Sequence, residues 1–155
     1  KENNIIPACP SLGRSVEVGI LSYASDITLE DTPFTIGLER LIDVDKPSDY
    51  IGKEALQRLA KEPIPRKLVG ANFGGDPVGS NDKFWDVLAN GEVVGRITRC
   101  CYSPRLEHNI ALVNVPTEVA EPGTKVQLDI RGTLVDAEIV ALPWFESHKK
   151  IPEGI

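Results

Sequence analysis

The chain has 155 residues, 41% of them hydrophobic and 26% charged, with a formal net charge of -6 at pH 7, a composition with enough apolar mass for one globular domain or two small ones. Its basic residues are scattered, which excludes the positive stripe that tracks a nucleic-acid backbone. No run reaches the roughly 18 to 20 apolar residues of a membrane-spanning helix, so neither nucleic acid nor membrane is an expected partner. Three cysteines, Cys9 and the vicinal Cys100-Cys101, form neither a disulfide framework nor a metal-ligand spacing, which points to a reducing, cytoplasmic compartment and no metal site.

Residues 16–23 read as a strand, because Val16, Val18, Ile20 and Leu21 all favour burial. Within it Glu17 is a lone carboxylate whose burial without a partner costs several kcal/mol. The partner is either a base of the fold, such as Arg14, or the polar edge of a bound heterocycle. Turn signals follow at Asp26, Asp31-Thr32-Pro33 and Asp45-Lys46-Pro47. A helix is predicted over 51–61, capped by Asp49, with Ile51, Ala55, Leu56 and Leu59 on its apolar face, and Pro63 and Pro65 ending it.

From residue 66 onward the pattern is strand-like throughout. Strands are predicted over 66–73, 84–89, 92–98, 109–115, 125–130 and 134–141, with a Gly- and Asp-rich loop over 74–82. Asn90-Gly91 is the strongest hairpin signal, and Arg131-Gly132-Thr133 marks a second. Val126, Leu128 and Ile130 alternate with Gln127 and Asp129, the period of a half-buried strand. Short strands at this spacing fit a small closed barrel, since closure removes exposed edges. His108 and His148 have no Ser or Cys placed beside them as an activated pair, and Cys100 and Cys101 read as buried, unreactive thiols.

Several blocks in order resemble one family. They are Glu17 to Asp26 (Glu-x-Gly-Ile-Leu-x-Tyr-x-x-Asp), Thr32-Pro33-Phe34 with Gly37-Leu38, and Asp49-Tyr50-Ile51-Gly52-Lys53-Glu54-Ala55-Leu56. Then come Gly95-Arg96-Ile97-Thr98, Cys101-Tyr102-Ser103-Pro104, Asn109-Ile110-Ala111-Leu112, Pro122-Gly123-Thr124 and Leu142-Pro143. Together they resemble the C-terminal half of the glycine cleavage T-protein (aminomethyltransferase) family. Its relatives include dimethylsulfoniopropionate demethylase and the folate-binding ends of sarcosine and dimethylglycine dehydrogenases. Leu21-Ser22-Tyr23 and Cys101-Tyr102-Ser103-Pro104 lean towards the demethylase branch.

The resemblance implies an α+β, mainly β architecture: the end of a folate-binding α/β domain over 1–62, a small antiparallel β-barrel over 66–146, and a tail over 147–155. It implies tetrahydrofolate as cofactor, with Glu17 accepting hydrogen bonds from the pterin and Arg14 and Tyr23 beside it, although the core is the expected place for the Tyr23 ring. The partners implied are a small-molecule methyl or aminomethyl donor and the N-terminal half of the same protein, where the family's catalytic acid lies; no catalytic residue is expected in this stretch. A chain without methionine, opening on Lys1-Glu2-Asn3-Asn4, reads as a fragment or as a processed start. Two alternatives stand beside the one-carbon transferase: the folate-accepting end of a flavin-linked dehydrogenase, and a non-catalytic binding module on the same scaffold. Three departures from the family pattern are notable. Arg14 stands one position before the expected arginine, Tyr-Gly-Asn-Asp becomes Tyr23-Ala24-Ser25-Asp26, and Thr-Ser-Gly becomes Thr98-Arg99-Cys100, a costly change if Cys100 needs a positive φ.

Overall fold

The computed structural model describes residues 12–144; the expectations for Cys9, His148 and the tail lie outside them. Six strands make up the second part of the chain: β1 (Arg66–Phe73), β2 (Trp85–Ala89), β3 (Glu92–Ser103), β4 (His108–Pro116), β5 (Lys125–Ile130) and β6 (Thr133–Val140). They close into an antiparallel barrel in the order β1-β4-β3-β2-β5-β6, with β1 pairing β6 from Gly70↔Val140 to Phe73↔Ala137 to complete the ring. The molecule is thus mainly β, as its spacing predicts. Both hairpin signals deliver the mirror-image turn that matches strand twist, with positive φ at Asn90, Gly91, Arg131 and Gly132.

Inward-facing Phe73, Trp85, Val87, Ile97, Val113, Leu128 and Ile139 fill the barrel. A second apolar layer lies outside it, where Val16 packs with Leu68, Cys101, Ile110 and Leu112 under Leu142 and Trp144. This outer layer explains why β4 is buried continuously from Asn109 to Val115: the strand is covered on both faces, so its sequence reads as a nearly unbroken apolar run. At Gly95 the barrel leaves no room for a side chain, since a Cβ there would collide with the Asn114 carbonyl.

Three local expectations are corrected. Residues 16–23 do not form a strand; α1 (Leu12–Glu17) is a short helix. It ends in a Schellman motif at Gly19 (φ 66°), with Ile20 N–H donating to Ser15 O at 2.8 Å and Gly19 N–H to Val16 O at 3.0 Å. The helix α2 covers only Lys53–Leu59, is capped by Gly52 rather than Asp49, and has no buried residue. Asp49 instead accepts from the Tyr50 N–H at 2.9 Å, and Ile51 projects fully into solvent. Cys100 needs no positive φ, because it sits in regular β3 opposite Ala111. The position that bears the strain of a lost glycine is Ala24, at φ 70°.

Candidate functional site

The sequence-predicted residues gather at the seam between residues 12–35 and the outer face of the barrel. The helix α1 turns Val16 and Glu17 towards the sheet, and both are buried. Val16 enters the outer apolar layer, while the Glu17 carboxylate, 4% exposed, accepts a hydrogen bond from Ser103 Oγ at 2.5 Å. Ser103 Oγ in turn accepts from the Leu106 N–H at 3.1 Å, and the Glu17 carbonyl accepts from the Trp144 N–H at 3.1 Å. Glu17 therefore ties the start of the described chain to the end of β3 and to the segment after β6.

A second anchor is stronger. The Asp26 side chain is wholly buried and pairs with Arg99, Nη2 to Oδ2 at 2.7 Å. Its Oδ1 accepts from Thr98 Oγ1 at 2.7 Å and from Arg99 Nε at 3.1 Å, and its Oδ2 accepts from the Ser22 N–H at 2.7 Å. Arg99 also donates to Ser15 Oγ at 3.0 Å and to the Ile20 carbonyl at 2.5 Å. One guanidinium thus satisfies groups on α1, on the loop after it and on the 22–27 turn, using its fixed fork of donors. The register of β3 against β4 slips between Ile97 and Arg99. Such a bulge lets two successive side chains reach the same side of a strand, and here Thr98 and Arg99 converge on one carboxylate.

Beside this anchor a cavity of about 440 Å³ is lined by Leu12, Ala24, Ser25, Lys83, Phe84 and Arg99 among others. Asn81 at its margin is fully engaged, donating to the Lys83 and Thr98 carbonyls and accepting from the Cys100 N–H. Cys100 and Cys101 are free thiols and buried. Burial pushes Cys100 up to about 12. Burial, and then the neighbouring Glu17 carboxylate, push Cys101 up to about 11 against the pull of Arg99. Neither is poised as a nucleophile. Among the described residues no group of three or more His, Cys, Asp or Glu side chains is placed to hold a metal ion, and no helix is long and apolar enough to cross a membrane.

Glu17, Arg14 and Tyr23 differ in exposure, and only Glu17 is buried. Arg14 is exposed on α1. Tyr23 is 65% exposed, which corrects its expected place in the core. The reason lies in the turn it starts: Asp26 is drawn inward by Arg99, and Tyr23, which bridges to Ile27, is left on the outer side. Asp26 itself is more than the turn former its sequence context suggests, since its carboxylate is the buried counter-ion of the seam. The residues that sequence reasoning passed over are Arg99 and Ser103. Arg99 stood in plain view as a departure from the family's small-residue turn, and a charged residue between Thr98 and Cys100 in an apolar strand is itself a sign of a buried partner elsewhere.

Residues 66–146 match the family model described as the glycine cleavage T-protein C-terminal barrel domain. The chain is 41% identical over 134 residues to an aminomethyltransferase of Saccharopolyspora erythraea, covering 86% of this chain and 36% of that protein. It is 36% identical over 131 residues to an aminomethyltransferase of Synechococcus sp. (strain CC9902), covering 84% of this chain and 35% of the relative. Among solved structures, glycine cleavage system aminomethyltransferase T from Bartonella henselae superposes with a TM-score of 0.72 at 25% identity, over 86% of this chain and 37% of that one. The chain thus spans little more than a third of the length of the relatives it matches. With a closed six-stranded barrel over β1 to β6 and a family match that begins at the first residue of β1, the chain belongs to the glycine cleavage T-protein family, in its C-terminal region.

Proposed function

We propose that this chain is the C-terminal portion of a tetrahydrofolate-dependent transferase of an aminomethyl or methyl group. Residues 1–62 complete a folate-binding domain, and the barrel forms the rigid wall against which that domain is set. The observation that carries the reading is the double anchoring of the 12–35 segment to the barrel through Glu17–Ser103 and Asp26–Arg99, in a chain whose relatives are named aminomethyltransferases. In this reading Glu17 supplies a carboxylate to the pterin's N–H groups, with Arg14 and Tyr23 on the accessible side of the same segment. A carboxylate suits that task because its two oxygens face two parallel donors. One-carbon transfer to a folate nitrogen draws most of its rate from positioning, so a segment held by buried polar anchors is a fitting place for cofactor contacts.

The same reading assigns a partner to the exposed apolar side chains of this region. Ile20, Tyr23, Leu29, Leu41 and Ile51 are all exposed, and all lie in the part that would face the preceding domain of the same protein. Calorimetric titration of the full-length protein with tetrahydrofolate tests the proposal. The wild type binds, and Glu17→Gln weakens binding by about 1 to 3 kcal/mol, the cost of leaving a buried polar partner unsatisfied. Ser103→Ala, which keeps the carboxylate, separates loss of a cofactor contact from loss of the seam. Unchanged affinity in a folded Glu17→Gln protein removes Glu17 from the site, and absence of binding by the wild type overturns the cofactor assignment.

A further inference from the structure

A second cavity, of about 390 Å³, lies on the outer face of the barrel at the start of β3 and the end of β4, and Arg66, Val93, Arg96, Asn114 and Pro116 line it. Its charged lining is Arg66 and Arg96, and Asn114 adds a side-chain amide. Val113 and Val115 face the barrel interior, so the strand alternation turns Asn114 outward towards this cavity. Asn114 is 5% exposed, yet its amide Nδ2 is buried without a hydrogen-bond partner. A native fold rarely leaves such a donor unmet. Directly opposite it in the ladder stands Arg96, a half-buried residue whose guanidinium lies 4.5 Å from the centre of the Phe84 ring. Among the described residues Arg96 forms no ion pair, not even with Asp86, its register partner on β2. Arg66, at the cavity margin, is held by the buried carboxylate of Asp31 at 3.3 Å.

We infer that this cavity binds the carboxylate of a small organic acid, at a site apart from the Glu17–Ser103 and Asp26–Arg99 anchors. The Arg96 guanidinium, without an ion pair, and the unmet amide donor of Asn114, opposite one another across two strands, supply charge and hydrogen-bond donors for a carboxylate. Val93 and Pro116 supply an apolar rim that accommodates a short hydrocarbon body. The stacked Phe84 ring holds the Arg96 plane in place, which lowers the entropy lost on binding. The chain's net charge of -6 makes a cavity whose charged lining is two arginines the more distinctive.

The test is a titration of the full-length protein, labelled with nitrogen-15, with isovalerate, isoamyl alcohol and inorganic phosphate in turn. The Asn114 side-chain amide and the Arg96 Nε–H resonances are the readout. Isovalerate is expected to shift both saturably and the alcohol to shift neither. Arg96→Gln is expected to weaken isovalerate binding at least tenfold. Asn114→Asp, which places a carboxylate of the protein's own beside Arg96, is expected to abolish binding with the fold intact, as judged by its melting temperature. Tetrahydrofolate affinity is expected to stay unchanged in both variants, so this site and the folate reading fail separately. The proposal is overturned by absence of a saturable shift with isovalerate, by phosphate alone producing the shifts, or by Asn114→Asp binding isovalerate as the wild type does.

Discussion

The two parts of this chain are held in opposite ways. In the barrel, strand closure buries an apolar interior, and every member of its central cluster lies between Ala71 and Ile139. Over residues 12–62 only Val16, Glu17, Asp26 and Thr35 are buried, and three of those four are polar. Most of the exposed large apolar residues also belong to that region: Leu12, Ile20, Tyr23, Leu29, Leu41 and Ile51, against Phe84, Val93 and Leu134 in the barrel. A stretch of about fifty residues that hides one aliphatic side chain cannot repay its own ordering entropy. It is held by specific polar anchors to a body that folds on apolar burial, and the difference teaches where each region is vulnerable.

The sharpest way to break that contrast is Arg99→Ala in the full-length protein. It strands the buried Asp26 carboxylate and should cost about 3 to 5 kcal/mol, the range for removing one partner of a buried ion pair. Hydrogen exchange should show the loss over residues 18–35 while β4 and β5 keep their protection; equal loss in the strands would mean that the seam and the barrel are one cooperative unit. Gly95→Ala probes the opposite side. Its Cβ has nowhere to go beside the Asn114 carbonyl, so about 1 to 3 kcal/mol of overpacking should fall on the barrel and lower the midpoint of denaturant unfolding.

Alkaline pH should act on β3, where Cys100 joins the interior and Cys101 the outer layer. Both thiols stay protonated in the fold, at about 12 and about 11 against an ordinary 9.0, whereas the unfolded chain sheds these protons above about 9. Stability should therefore be full below pH 9 and fall as pH rises beyond it. Replacing both cysteines by alanine should flatten that decline, which denaturant titrations at pH 8 and pH 10 would reveal. The smallest effect is a gain: Ala24→Gly relieves a left-handed residue at φ 70° and should stabilise the 22–27 turn by a few tenths to about 1 kcal/mol, read as slower exchange at Asp26.

Most of the barrel was legible in the sequence because its signals are local. Alternation in Lys125–Ile130 and positive-φ turns at Asn90-Gly91 and Arg131-Gly132 need no distant partner to be recognised. The 12–62 region was less legible because its structure depends on contacts made far away along the chain. Residues 16–23 carry the composition of a strand, and what decides otherwise is the Gly19 stop together with docking of Val16 on β4. Glu17 was recognisable as a carboxylate in need of a partner, but Ser103, which donates to it, is 86 residues away. Arg99 and Asp26, 73 residues apart, each look ordinary alone and acquire meaning only when a bulge in β3 brings them together.

The vicinal cysteines have a practical corollary. Because one strand sends Cys100 into the closed interior and Cys101 under the helix that begins the described chain, adjacent sulfurs sample two different opening events. Alkylation at Cys101 times the lifting of α1 from the barrel, alkylation at Cys100 times the rupture of the ring itself, and a single peptide recovered by mass spectrometry would carry both clocks.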